Sequence, residues 1–225
     1  MGRTVIIGDV HGCADELSEL LTKIGVSRAD KVVFVGDLVA RGPDSRGVLA
    51  IARKVSATVV RGNHEHKLLR HRASGEPLSS MHARVAASFS ARDWADLEAM
   101  PFYADLPEHG VRVVHGGVDP AVSLERQEPE ILLTLRTIVD GRPSDKSGDH
   151  LWGASYAGPV HVVFGHNARP EPQLHPFATG LDTACVYGGR LTALVLRERE
   201  RVPDVAQRAL SLVSVPAHRV HMRYA

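Results

Sequence analysis

Residues 4–24 read TVIIGDVHGCADELSELLTKI. Four consecutive apolar or β-branched residues predict a short buried strand. Gly8 and Gly12 bracket the turn that follows. Leu17, Leu20, Leu21 and Ile24 then recur at i, i+3, i+4 and i+7, one face of a helix. The unit repeats. KVVFV at 31–35 precedes GDLVARGPDS and a helix over 45–55, capped by Asp44 or Ser45. ATVVR at 57–61 precedes GNHE and a helix from about Glu65. Strand, loop and helix three times over predict right-handed βαβ units on a largely parallel sheet.

Beyond this half the pattern loosens. Residues 66–109 are polar and helical with no clear strand, and SARDWADLEAM at 90–100 reads as one amphipathic helix. Strands return at 111–114, 160–164, 179–181 and 192–196. Residues 125–156 form a polar excursion with one apolar patch at 131–135. RERER at 197–201 reads as a solvated turn and LSLVSV at 210–215 as a last strand. No repeat, low-complexity tract or linker interrupts the chain. One α/β domain over 1–225 is therefore expected, with a helical insert at about 66–110.

With 44% hydrophobic and 24% charged residues among 225, the chain has the composition of a folded globule, not a disordered one. Lys plus Arg number 27 against 26 Asp plus Glu, an even balance that argues against a bulk electrostatic binder of duplex DNA. Cys13 and Cys185 are too few for a disulfide scaffold and are expected reduced. The N-terminal stretch meets charged and glycine residues too early for a signal peptide. Ile6 stands where a myristoylation signal needs Ser or Thr. No apolar run approaches the roughly 20 residues of a membrane span. A cytoplasmic protein without a membrane partner is expected.

The chemistry lies in five loops, each following an apolar run: Gly8-Asp9-Val10-His11-Gly12, Gly36-Asp37, Gly62-Asn63-His64-Glu65, His115-Gly116-Gly117 and Gly165-His166. Loops at the carboxyl ends of parallel strands converge on one rim, where ligands bind. One such dipeptide alone is usually just a turn, and a lone His is more often packed than ligating. Five matching loops in one chain are a different matter. They offer two carboxylates, an amide oxygen and up to four imidazoles, a set that suits Mn, Fe or Zn and not Ca. One ion cannot use so many donors. Two ions sharing a bridging carboxylate can, and such a pair clamps a phosphoryl group and acidifies a water between them into a nucleophile.

GDVHG, GDLVARG, GNHE, HGG and GH, in this order, resemble the phosphoprotein-phosphatase group of calcineurin-like metallophosphoesterases. The resemblance runs from about Thr4 to Leu196. It implies an αββα sandwich of two packed mixed sheets flanked by helices. It also implies two divalent metal ions, Mn first, with Co, Fe or Zn as alternatives. By motif match Asp9, His11 and Asp37 would hold one ion. Asp37, Asn63, His115 and His166 would hold the other, with Asp37 bridging. His64 would be the general acid and Arg41 a binder of substrate phosphate.

One departure bears on the substrate. Protein phosphatases of the group read GDxxDRG at the second motif, and here Ala40 replaces the second Asp. That Asp would orient and charge His64, so its absence weakens proton donation. A Ser or Thr alkoxide needs that proton; a nucleotide leaving from an anhydride hardly does. GDLVARGP and GLDTACVYGGRLTAL (180–194) resemble the bacterial symmetrical bis(5′-nucleosyl)-tetraphosphatases. The resulting expectation is symmetrical hydrolysis of diadenosine tetraphosphate to two ADP. GNHE and HGG lean toward the protein phosphatases, so a Ser/Thr phosphatase of broad specificity is the first alternative. A catalytically dead nucleotide sensor is the second. The expected partner is a dinucleoside polyphosphate, with a phosphoprotein or a capped RNA 5′ end as further candidates. Arg136 is a candidate second phosphate binder or else a surface residue of a helix over 131–139. Tyr187, Trp152 and Tyr156 are candidate adenine platforms or else core residues.

Overall fold

In the computed structural model, which describes residues 2–223, the first strand β1 (Thr4–Ile7) is buried along its whole length. Both faces are covered, which is why its apolar run is continuous and not alternating. α1 (Ala14–Ile24) buries Leu17 and Leu20 and ends at Gly25, whose φ of 65° suits a residue without a Cβ. β2 (Lys31–Phe34) pairs parallel with β1. α2 (Ser45–Lys54) starts at Asp44, whose carboxylate accepts the Gly47 amide at 2.7 Å. β3 (Thr58–Val59) continues the parallel run but is only two residues long. α3 (Asn63–Ser74) starts two residues earlier than expected, because the Glu65 carboxylate reaches back to the Gly62 amide at 3.0 Å.

The stretch expected as a helical insert contains α4 (Ser80–Ser88) and α5 (Ala91–Ala99). It closes, however, with a strand that the sequence reading missed, β4 (Tyr103–Leu106). Ala104 and Asp105 are poor strand formers. They extend because β4 pairs antiparallel with β5 (Val111–Val114), where Asp105 opposes Arg112 and accepts its Nε at 2.7 Å. The polar excursion is also structured. α6 (Pro129–Thr134) stops short of 139, and a hairpin follows, β6 (Thr137–Val139) with β7 (Arg142–Ser144), then α7 (Trp152–Ser155). Arg136 is therefore not on a helix. β8 (His161–Phe164), β9 (Gln173–Leu174), β10 (Ala178–Gly180) and β11 (Arg190–Leu196) lead to a short α8 (Val205–Arg208) and β12 (Leu212–Pro216).

Apart from the β6–β7 hairpin, the strands form two five-stranded sheets, ordered β12-β11-β1-β2-β3 and β4-β5-β8-β10-β9. Both are mixed. β1, β2 and β3 run parallel while β11 is antiparallel to β1; β5, β8 and β10 run parallel between antiparallel edges. The two-residue period of a strand sorts the core. Ile6, Val33 and Val35 of the first sheet meet Val111, Val113 and Val163 of the second. Val5, Ile7 and Phe34 face the other way, under Leu17, Leu20 and Val48 of the helices. Val114, Val162 and Phe164 of the second sheet lie under Leu132 and Trp152. Helix, sheet, sheet, helix is the expected sandwich. Among the described residues no helix is long and apolar enough to cross a membrane.

Candidate active site

Asp37, in the loop after β2, is the centre of the site. Its Oδ2 stands 3.6 Å from His11 Nε2, 3.9 Å from His64 Nε2 and 3.4 Å from His115 Nε2. Its Oδ1 accepts the His64 backbone amide at 3.0 Å. Its own amide donates to Glu65 Oε2, also at 3.0 Å. Glu65 thus staples the β2 loop to the start of α3. Asn63 Oδ1 lies 3.0 Å from His115 Nε2 and 2.9 Å from His166 Nδ1. Asp9, in the β1 loop, accepts the His166 amide on both oxygens, at 3.1 and 3.0 Å. All six residues expected as metal ligands meet here. Gly36 allows the approach: at its φ of 109°, a Cβ would stand 2.8 Å from both the Gly62 nitrogen and His115 Nδ1.

The centre is buried, and its charges are arranged accordingly. Burial pushes Asp9 well above the usual carboxylate range, helped by Asp182 and Asp37. Asp37 goes the other way, because the charge on His115 beside it outweighs the cost of burying it. Burial pulls His115 down, but Asp37 more than compensates and holds it at about 9. Burial lowers His11 to about 4 and takes His64 and His166 well below the imidazole range. Glu65 is pushed up to about 7 and Asp182 to about 6, by burial and then, among the charges, by Asp37.

The donor set fits divalent cations. His166 Nε2 donates to the Thr134 carbonyl at 3.2 Å, so neutral His166 presents a bare Nδ1 to the Asn63 oxygen. Two acceptors facing each other at hydrogen-bond distance are what a cation between them satisfies. Two clusters, His11–Asp37–His64 and Asp37–His115–His166, each keep their ligand atoms within 4.8 Å of one another and share Asp37.

The secondary candidates separate. Arg41, at φ 66°, places Nη1 2.9 Å from His11 Nε2 and its guanidinium 5.5 Å from the centre of the Tyr187 ring. Arg136 is no surface residue: Nη1 donates to the His166 carbonyl at 3.0 Å, and the guanidinium faces Asp182 and Asp9. Trp152 and Tyr156 are not platforms. Trp152 is fully buried with Nε1 on the Gly116 carbonyl, and the Tyr156 hydroxyl donates to the Val160 carbonyl. The sequence reading passed over His82 entirely. It is buried on α4, with Nε2 3.0 Å from His64 Nδ1. A lone His in a polar helix gives no pattern to read; Ser79 three residues earlier, which caps α4, is the only signal.

The model of the calcineurin-like phosphoesterase family matches residues 2–205. The chain belongs to that family. Divalent metal ions come with membership, and the side chains gathered around Asp37 are where this phosphoesterase would carry them. A relative from Bacillus velezensis, named asymmetrical bis(5′-nucleosyl)-tetraphosphatase PrpE, is 32% identical over 88% of this chain and 90% of its own. A relative of the same name from Halalkalibacterium halodurans is 33% identical over 88% and 91%. A solved structure provisionally assigned as a diadenosine tetraphosphatase is 34% identical, with a TM-score of 0.84 over 96% of this chain and 94% of its own. A serine/threonine phosphatase from Saccharomyces cerevisiae shares the fold alone, at 18% identity and a TM-score of 0.63 over 97% and 80%. These names correct the expected type. The motifs pointed to symmetrical tetraphosphatases, and the relatives carry the asymmetrical name. The physical reason is that GDLVARGP and its partner motifs gather around Asp37, and nothing in them says which bond of a substrate is held there. Which bond sits there depends on where the nucleosides dock.

Proposed function

We propose that this phosphoesterase hydrolyses dinucleoside tetraphosphates asymmetrically, to a nucleoside triphosphate and a nucleoside monophosphate. The meeting of Asp9, His11, Asn63, His115 and His166 at Asp37, flanked by Arg41 and Arg136, carries the hydrolytic part of this reading. The relatives' names support the register. Asp9, His11 and Asp37 would hold one ion; Asp37, Asn63, His115 and His166 would hold the other. Two divalent ions, Mn by preference, supply the positive charge that activates water and neutralises a phosphoryl group. Arg41 beside His11 and Arg136 beside His166 would bind the non-bridging oxygens, with the fork geometry that phosphate matches. Tyr187, beside Arg41, offers a face to a base. His64 Nε2 points toward the same centre, where it meets the leaving oxygen. No carboxylate at position 40 backs His64, so weakly basic leaving groups are favoured, and a nucleotide leaving from an anhydride is one. A cavity of about 310 Å³ beside Arg41, lined by Arg46, Met81, Arg84 and Val85, gives room for one nucleotide arm. An RNA 5′ end capped through a polyphosphate presents the same bond and is our second substrate. Buried free thiols at Cys13 and Cys185 fit a cytoplasmic setting.

The test is product analysis. The purified protein is incubated with Mn and diadenosine tetraphosphate, and the nucleotides are resolved by chromatography. Equal ATP and AMP are expected. ADP alone would restore symmetrical cleavage. No nucleotide product, alongside turnover of an aryl phosphate, would remove this substrate class.

A further inference from the structure

His82 stands directly behind His64. Its Nε2 is 3.0 Å from His64 Nδ1, the two ring planes are inclined by only 25° with centroids 4.9 Å apart, and both residues are only 5% exposed. The start of α4 places it there. Ser79 caps the helix by accepting the His82 amide at 3.4 Å, and the same hydroxyl lies 2.8 Å from His82 Nδ1. Met81 fastens the helix over the site, its sulfur accepting the Arg41 amide at 3.2 Å.

The hydrogen-bond roles follow from Ser79. Its oxygen accepts the His82 amide at 3.4 Å, which turns its own hydrogen toward His82 Nδ1 at 2.8 Å. His82 Nδ1 is then bare, and its Nε2 carries the proton and donates it to His64 Nδ1 at 3.0 Å. The proton of a neutral His64 is left on Nε2, the nitrogen 3.9 Å from Asp37 Oδ2. Each member of the chain has one partner of the right kind.

We infer that His82 is the positioning residue for His64, occupying the place of the absent carboxylate and holding the ring so that Nε2–H points at the leaving oxygen. This rests on the reading of His64 as the donor to the leaving group. A carboxylate behind Nδ1 would accept a proton there and favour imidazolium. His82 donates to Nδ1 instead, so His64 meets the substrate as a neutral N–H donor. Such a donor helps a leaving group in proportion to its basicity, so an aryl oxide gains from it and a nucleotide leaving from an anhydride hardly needs it. Ser79 and His82 thereby keep part of the proton donation that the absent carboxylate would have supported.

Two measurements test it. In metal-free ¹⁵N-labelled protein, long-range ¹H–¹⁵N correlations should show His64 with protonated Nε2 and bare Nδ1, the latter shifted in the His82→Ala variant. With Mn, kcat is measured on aryl phosphates of graded leaving-group basicity and on diadenosine tetraphosphate. His82→Ala should lower kcat on the most basic aryl leaving group by about 10²-fold, the lower range for a positioned proton donor, with KM unchanged. Diadenosine tetraphosphate should change by less than about threefold. His82→Gln, whose amide can still donate to Nδ1, should recover most of the loss. Melting curves confirm that each variant folds. A protonated Nδ1 on His64 in the parent, or a loss equal for every leaving group, overturns the inference. An aryl phosphatase without activity on diadenosine tetraphosphate would sink the proposed substrate and leave the His82 result readable.

Discussion

His11, Asp37, Arg41 and His166 hold left-handed backbone without being glycine, at φ of 49°, 50°, 66° and 64°. Each such residue costs about 1–2 kcal/mol. The cost is borne because the loops are over-determined: the His11 amide donates to the Asp37 carbonyl at 2.8 Å, and the Gly42 amide to the His11 carbonyl at 2.8 Å. That these side chains would come together was legible in the sequence, because metal-ligand chemistry follows residue type and every loop announces itself after a strand. The strained backbone was not legible, since nothing in GDLVARG marks Arg41 as left-handed. Nor was the role of His82, which exists only through a contact between residues 18 apart. Arg41 yields the prediction at this scale. Arg41→Lys keeps the charge but loses the planar fork, and kcat/KM for the tetraphosphate should fall by about tenfold or more. Bound metal, read by elemental mass spectrometry, should stay at the parent level. An unchanged kcat/KM would take Arg41 out of the substrate site.

At the scale of elements, the βαβ half was readable because its helices carry a clean apolar period and its strands are buried on both faces. β4 and the β6–β7 hairpin were not readable, because their residues extend only against a partner strand. The helices that follow α3 depend on tertiary bonds in the same way. α5 opens with a box in which the Asp93 carboxylate accepts the Ser90 amide at 2.9 Å and the Ser90 hydroxyl at 2.7 Å. The same carboxylate accepts Arg53 Nη1 at 3.0 Å and Arg46 Nε at 3.2 Å, both from α2. Burial alone would raise Asp93; Ser90 and then Arg53 outweigh it and hold the group at about 2. A folded pKa below the unfolded one means stability that is complete above the unfolded value near 4 and lost as pH falls through about 2. Asp93→Asn should therefore cost about 2 kcal/mol at neutral pH. The gap between parent and variant, followed by urea unfolding, should close between pH 5 and pH 2. A gap that does not change with pH would show that Asp93 acts through shape and not charge.

For the whole molecule, the decisive fact is which sheet supplies which of the proposed ligands. Asp9, His11, Asp37 and Asn63 leave β1, β2 and β3 of the first sheet; His115 and His166 leave β5 and β8 of the second. Any ion held by Asp37 and His115 together therefore ties one sheet to the other across the rim, on top of the apolar contact between Ile6, Val33, Val113 and Val163. The tie joins groups that burial otherwise disfavours, since Asp9, Asp37 and Asp182 are all enclosed there. Metal binding should then appear as global stability and not only as activity. An ion that binds the folded chain at 100 times its dissociation constant adds about 2.7 kcal/mol. For a chain of this length that raises the melting temperature by about 5–10 °C. Addition of Mn to chelator-stripped protein should produce such a shift, followed by circular dichroism. Asp37→Asn removes the ligand common to both clusters and should keep less than half of the shift. If stripped parent protein melts at the same temperature with and without Mn, or if Asp37→Asn keeps the full gain, the ions do not bridge the two sheets through Asp37, and the assignment of the shared ligand fails.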